Sequence, residues 1–369
     1  VPTERPPLVI VHDYLTQRGG AERVVALVAH AFPDAPIVTS LFDPSGTYEE
    51  FAGLDVRTGV LDRVPALRHH HRAALPLLAP WFATRRIDAD AVLASSSGWA
   101  HEVRTDGRLV VYCHAPARWL YQQDRYLRST GAGGVTKSIA AGSLRVLAPP
   151  LRAIDRAAAR RADAYLANSS ATATLVRELY GREAEVLCPP PSLDPGGPAE
   201  PVDGLEAGFV LCVSRLLAYK HVDVLVAAAA MLPDREFVVV GDGPERRHLE
   251  AGAPRNVRFL GVVTDDVLRW CYAAASVNVA LGYEDFGLAP LEAASFGTPT
   301  IARRFGGFLD TIRDGATGTL LSEMTAATVA AAITELTAAP IDPATLVAHA
   351  STFSKERFVA RLAEVLTSR

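Results

Sequence analysis

The 369-residue sequence predicts two α/β domains, each built on a doubly wound parallel sheet. Three observations carry that expectation. Apolar runs of strand length alternate with segments of helical periodicity through both halves of the chain. Several of the runs are apolar throughout, as strands buried on both faces are. The composition changes once, at Pro189-Pro190-Pro191, Pro195-Gly196-Gly197-Pro198 and Pro201, which reads as a proline-stiffened linker. A first domain over 1–188, a linker over 189–207, a second domain over 208–350 and a terminal segment over 351–369 follow.

In the first half, Leu8 to His12 is a strand, Asp13 to Gly20 a loop, and Ala21 to Phe32 a helix with Glu22 in its first turn, where an acid complements the dipole. Ala35 to Leu41 and Ala89 to Ser95 are further strands. Val110 to Pro116 is a strand and turn that carries His114. Ser129 to Gly134 is a glycine-rich loop expected to order over a substrate. Arg145 to Arg161 is helical with an interruption at Pro149-Pro150, and Ala171 to Tyr180 is a helix opened by a capping serine.

In the second half, the strand Phe209 to Val213 leads through a loop bearing Ser214, Arg215 and Lys220 into an alanine-rich helix. Glu236 to Gly241 is followed by the turn Gly241-Asp242-Gly243-Pro244, and Val257 to Val263 is the next strand. After Ala275 to Leu281 comes the densest stretch, Gly282 to Pro299, in which Glu284 and Glu292 flank a strand–loop–helix junction. Such junctions lie at the carboxyl edge of an open sheet, where ligands bind. The backbone N–H groups of Phe286, Gly287 and Leu288 suit an anion or a sugar hydroxyl there, and Arg215 with Lys220 suits a diphosphate.

Charge and cysteine usage narrow the possibilities. The formal net charge of −4 divides unevenly: residues 1–190 hold 22 Lys and Arg against 19 Asp and Glu, which leaves 15 against 22 of the 37 and 41 for the rest. That is too weakly basic for nucleic acid. Four scattered cysteines point to free thiols in a reducing compartment, and the amino terminus shows no leader pattern. Asp88-Ala89-Asp90 and His69-His70-His71 read as a turn and a solvated face, so no metal site is expected. Leu67 to Arg86 mixes basic residues with Trp81 and Phe82, a pattern that fits an anionic membrane surface or a core helix with a basic face.

Glu284-x7-Glu292 with Phe286-Gly287 and Gly297-Thr298-Pro299 resembles the signature of the retaining nucleotide-sugar glycosyltransferases of family 4. His12-Asp13-Tyr14-Leu15 with Gly19-Gly20-Ala21-Glu22-Arg23, Tyr112-Cys113-His114 before Arg118, Arg215 with Lys220, and Gly241-Asp242-Gly243-Pro244 are similar to other stretches of that family, in its order. The resemblance implies a GT-B fold, two Rossmann-like domains facing a cleft, and transfer of a hexose from a nucleoside diphosphate sugar without a metal or other cofactor. It implies that Arg215 and Lys220 hold the diphosphate, Glu284 and His114 the sugar, and Glu292 the ribose. Gly19, Gly20, Ser214, Gly241, Gly243, Val262, Phe286, Gly287 and Leu288 would complete the donor site, with Asp13, Tyr14 and Arg118 on the acceptor side. The details look most like the mannosyltransferase branch that uses GDP-mannose. The acceptor implied is a cell-envelope glycan or lipid-linked sugar, at a cytoplasmic location that includes the inner membrane face. The alternatives are a UDP-sugar-dependent transferase, a sugar-nucleotide epimerase or hydrolase on the same scaffold, and a non-catalytic nucleotide-sugar binder.

Overall fold

The computed structural model describes residues 6–69, 71–122 and 134–368. The chain divides into two compact units. The first comprises residues up to Pro189 together with Lys355–Arg369, and the second runs from Pro190 to Ser354.

Among the described residues, the first unit is built on a seven-stranded sheet. Its strands are β1 (Leu8–His12), β2 (Ile37–Thr39), β3 (Val56–Arg57), β4 (Ala91–Ser96), β5 (Arg108–Cys113), β6 (Ala164–Ala167) and β7 (Glu185–Val186). They lie in the order β3-β2-β1-β4-β5-β6-β7, all parallel. The second unit uses β8 (Val210–Val213), β9 (Phe237–Val240), β10 (Val257–Gly261), β11 (Val277–Ala280), β12 (Thr300–Arg303) and β13 (Gly318–Leu321) in the order β10-β9-β8-β11-β12-β13, again parallel. These are the two doubly wound parallel sheets that the strand–helix alternation predicts. In each the strand order reverses once, between β1 and β4 and between β8 and β11, and such a switch point opens a crevice at the carboxyl ends.

Alternate residues of one strand enter different cores. Val9 and Val11 of β1 join Trp81, Phe82, Trp99 and Trp119 on one face, while Leu8 and Ile10 join Val24, Val28 and Tyr112 on the other. The helix Lys355–Thr367 completes that second face: Phe358, Leu362, Val365 and Leu366 are buried in it. Arg361 forks onto the Glu185 carboxylate with two bonds of 2.7 Å, and Arg108 Nε donates to the Val365 carbonyl.

The structure bears on three expectations. The helix Gly134–Ala159 runs through Pro149 and Pro150 without a break. Each proline costs a backbone hydrogen bond, but both are exposed, and Ala148, Leu151, Ala158 and Ala159 are buried around them. Trp81 and Phe82, the aromatic pair a membrane-facing helix would insert, lie in the core. Of the loop Ser129 to Gly134, residues 129–133 fall outside the described residues, and Gly134 begins a helix. Among the described residues no helix is long and apolar enough to cross a membrane.

Candidate active site

In the second unit the switch point gathers the residues that the signature singles out. Lys220 ends the short 3-10 turn Ala218–Lys220 after β8, and Glu284 lies in the loop after β11. Although 64 residues apart, Lys220 Nζ donates to Glu284 Oε1 as an ion pair. Gly282 makes room for this approach, because a Cβ there would meet Lys220 Cδ at 2.9 Å. Arg215 is exposed beside them, and its guanidinium reaches the Tyr219 hydroxyl at 3.4 Å. The Lys220 ammonium also sits over the Tyr219 ring, 5.2 Å from its centroid. His221 follows in a left-handed conformation (φ 53°) and leads into the helix Val222–Met231.

The Glu284 loop is fixed from the far side. Gly306 and Gly307 pack so closely on the backbone of Glu284 to Phe286 that neither position admits a Cβ. Arg303 stacks on the Tyr283 ring at 4.0 Å. Gly287 (φ 84°) starts the helix Leu288–Ser295, whose Glu292 is buried. Both Glu292 oxygens already accept hydrogen bonds: Ser192 donates to Oε1 at 2.6 Å, and the Tyr272 hydroxyl to Oε2 at 3.0 Å. Burial and the adjacent carboxylate raise the Tyr272 phenol well above its ordinary range, so it stays a donor.

Gly241 and Gly243 have an architectural use that sequence reasoning missed. A Cβ on Gly241 (φ 123°) would strike the Ser214 carbonyl, and one on Gly243 the Leu216 carbonyl. These glycines let the β9 turn pack on the cation-bearing loop, and Leu216 N bonds the Asp242 carbonyl at 2.9 Å. Ser214 Oγ donates to the Arg215 carbonyl at 3.1 Å within the same loop. Val262, just past β10, is 69 % exposed and leaves an apolar face at the sheet edge.

In the first unit the predicted residues also meet at the carboxyl ends of β1, β4 and β5. Asp13 accepts from the backbone N–H of Ser97, of Trp99 (2.6 Å) and of Ala100 (2.8 Å), and only 3 % of it is exposed. It therefore fixes the turn after β4, and an acceptor-side contact through its carboxylate does not fit this geometry. Tyr14 and Arg118 are half-buried, Arg118 opening the short helix Arg118–Tyr121. Gly19 precedes the helix Gly20–Ala31, and a Cβ on it would lie 2.5 Å from Glu22 Oε2. His114 is buried, its N–H bonded to the Ser96 carbonyl (2.8 Å) and its carbonyl to Asn168 Nδ2 (2.9 Å). Its Nε2 meets the Ser95 hydroxyl at 2.8 Å. Burial and the neighbouring His12 push its pKa down to about 3, so the ring is neutral at physiological pH.

Sequence reasoning did not find Ser192, Tyr272, Ser95 or the pairing of His12 with Glu22. Ser192 lies in a proline-rich linker 100 residues from Glu292, where no local pattern marks it. Among the described residues no cluster of three or more His, Cys, Asp or Glu could hold a metal ion.

Two parallel sheets with cations and acids gathered at a switch point suit an anionic ligand, and the comparisons with known proteins narrow its class. The sequence model of Glycosyl transferases group 1 matches residues 202–352, and that of Glycosyltransferase Family 4 matches residues 18–194. Each half thus matches the model of a glycosyltransferase family. It is 32% identical over 239 residues to the D-inositol 3-phosphate glycosyltransferase of Nocardiopsis dassonvillei, covering 56% of this chain and 56% of that one. With the enzyme of the same name from Mycolicibacterium vanbaalenii it shares 35% over 178 residues, 41% of this chain and 39% of the relative. The chain thus spans about half the length, or less, of the curated relatives it matches. The fold is that of Anabaena HepE, solved in complex with UDP and glucose (TM-score 0.72, 20% identity, 99% of this chain and 100% of that one). Sucrose-phosphate synthase from Thermosynechococcus elongatus is similar too (TM-score 0.71, 20% identity, 98% of each chain). The expected kinship with a GDP-mannose-dependent mannosyltransferase branch does not stand. The curated relatives are D-inositol 3-phosphate glycosyltransferases, and HepE was solved with UDP or UDP-glucose.

Proposed function

We propose that this chain is a UDP-sugar-dependent glycosyltransferase that moves a hexose onto a hydroxyl of a glycan or lipid-linked acceptor. The observation that carries the reading is the pairing of Lys220 with Glu284 at the switch point of the second unit, with Arg215 alongside. In transfer, the acceptor hydroxyl oxygen bonds the anomeric carbon as that carbon's bond to the diphosphate oxygen breaks; negative charge grows on the leaving phosphate, which takes the acceptor's proton. Lys220 and Arg215 oppose that charge, the electrostatic contribution that usually dominates such steps. Glu284, released from Lys220 as the phosphate takes its place, accepts hydrogen bonds from sugar hydroxyls. Glu292 accepts from the ribose, Val262 covers one face of the base, and the Phe286 to Leu288 amides orient the sugar. In the first unit, His114 is assigned a sugar hydroxyl, and Gly19 and Gly20 the donor.

The choice of uridine is supported by HepE, whose structures hold UDP or UDP-glucose. Thermal unfolding with UDP, GDP, ADP and TDP at equal concentration tests it, since a ligand raises the melting temperature according to its affinity. UDP is expected to give the largest rise. A larger rise with GDP would overturn the donor assignment.

A further inference from the structure

Four buried side chains run in line from the helix Gly20–Ala31 to His114. Glu22, 2 % exposed, lies 4.0 Å from His12 Nε2. His12 Nδ1 lies 3.0 Å from the Ser95 carbonyl oxygen and 3.1 Å from its hydroxyl. That hydroxyl lies 2.8 Å from His114 Nε2.

Hydrogen-bond valence assigns the protons. A carbonyl oxygen only accepts, so His12 Nδ1 carries hydrogen and shares it between the two Ser95 oxygens. The Ser95 hydroxyl hydrogen then points away from His12, and among the described residues its acceptor is His114 Nε2. A ring whose Nε2 accepts is neutral, with its hydrogen on Nδ1. At the other end, His12 Nε2 faces a carboxylate, which favours a second proton on that ring. The electrostatics agree. Burial by itself lowers the His12 pKa, yet Glu22 and Asp13 more than reverse this and leave it raised. Burial by itself raises Glu22, and His12 with Gln17 brings it below its ordinary value.

We propose that Glu22, His12 and Ser95 are positioning residues that hold His114 as the neutral Nδ1–H tautomer, so that it presents a hydrogen-bond donor, and neither a base nor a cation, to the substrate. This rests on the reading of His114 as a sugar-contacting residue. The titratable groups around it are His12 and Asp13 from β1 and its loop, Glu22 from the following helix, and Tyr112 and Cys113 on its own strand. Burial raises the last two, so they stay neutral. The tautomer therefore holds across neutral pH. Gly19 belongs to the device as well: among the described residues Glu22 Oε2 has no hydrogen-bond partner, and it lies 2.5 Å from where a Cβ on Gly19 would stand.

The test is long-range ¹H–¹⁵N correlation on the full chain with ¹⁵N-labelled histidine, between pH 5 and pH 8. His114 should show the Nδ1–H pattern throughout, and His12 should keep a proton on Nδ1 throughout. Ser95→Ala should move His114 to the Nε2–H tautomer and lower kcat for UDP-sugar consumption about tenfold at little-changed KM, the scale of one lost hydrogen bond. Ser95→Thr keeps the hydroxyl, and its methyl has a small cavity beside Val24, Val28, Leu93 and Leu362 to enter, so it should retain the wild-type spectrum and rate. An Nε2–H His114 in the wild type, or an unchanged spectrum in Ser95→Ala, overturns the proposal. If Ser95→Ala fails to fold, the wild-type and Ser95→Thr spectra decide the tautomer. Full turnover by His114→Gln would instead refute the sugar-contact reading, and the tautomer, read without substrate, is judged separately.

Discussion

The two units carry their polar residues in opposite ways. In the first, His12, Asp13, Glu22, His101, Glu102, His114 and Asp155 are buried, and most are held by other side chains or by backbone. Burial pushes Glu102 up to about 8, so even an acid is kept neutral there near pH 7. In the second unit the corresponding residues lie nearer the surface: Arg215 is exposed, and the Glu284 side chain of the ion pair is 27 % exposed. One unit fixes protonation states and orientation in a dry interior. The other holds charge where an incoming anion reaches it. Substitutions in the first should therefore appear mainly in stability, and those in the second mainly in catalysis.

The comparison breaks first at Asp13. Asp13→Ala strands three backbone N–H groups that bonded a carboxylate, two of them buried, and should cost about 4 kcal/mol of stability in urea unfolding. A loss below about 1 kcal/mol would show that the turn after β4 does not depend on it. Lys220→Ala is the counterpart: kcat for UDP-sugar turnover should fall roughly 10²–10³-fold, the scale of removing one preorganised charge donor. Its melting temperature should fall less than that of Asp13→Ala, because the Glu284 side chain left behind is 27 % exposed and can be solvated. A large drop in melting temperature at near-normal kcat would reverse the contrast.

Tyr272→Phe sharpens it at the boundary between the two behaviours, because Glu292 is buried yet assigned to ligand. UDP affinity by calorimetry should fall about tenfold, the worth of one hydrogen bond to a charged acceptor. With 3′-deoxy-UDP the effect should shrink, and equal losses for both nucleotides would detach Tyr272 from ribose recognition. A smaller effect concerns pH. His114 has a folded pKa near 3 against an ordinary 6.5, so its contribution is complete above about pH 6.5 and is lost as pH falls toward 3, with a slope of at most about 1.4 kcal/mol per unit. The raised pKa of His12 has the reverse sign: its contribution is complete below about 6.5 and is lost as pH rises through the folded value. Stability of the first unit should peak near neutrality, and His114→Gln should flatten the acid side in unfolding curves. The smallest expected effect is none. EDTA should leave UDP-sugar turnover unchanged, since Arg215 and Lys220 already supply the positive charge, and metal-rescued loss would contradict that.

What the sequence made legible follows from range. The Ser214 to Lys220 loop sets two cations just past a strand end, and the Gly282 to Pro299 stretch combines a strand end, glycines and acids within a few positions, so both were readable. The meeting of Lys220 with Glu284 was not, because strand pairing brings together residues 64 apart. The same holds for His12 and Ser95, 83 apart. Gly241 and Gly243 show a different limit. A glycine needed for ligand approach and one needed because a carbonyl lies against its Cα look identical in one dimension. The base of the donor was illegible for a chemical reason. The signature residues address phosphate, ribose and sugar, which all such donors share, and the mannose reading leaned on them.

The helix Lys355–Thr367 sets a timetable. Its Phe358, Leu362 and Leu366 seal the core that Leu8, Ile10 and Tyr112 begin, and the whole second unit is encoded between them. During synthesis the first unit stays incomplete on that sheet face until residues 355–367, made after the whole second unit, leave the ribosome. The middle of the chain holds every segment of its own sheet long before then. A nascent chain stalled near residue 350 should accordingly recruit chaperones to its oldest part, and a fragment ending at residue 188 should clump where the uninterrupted chain does not.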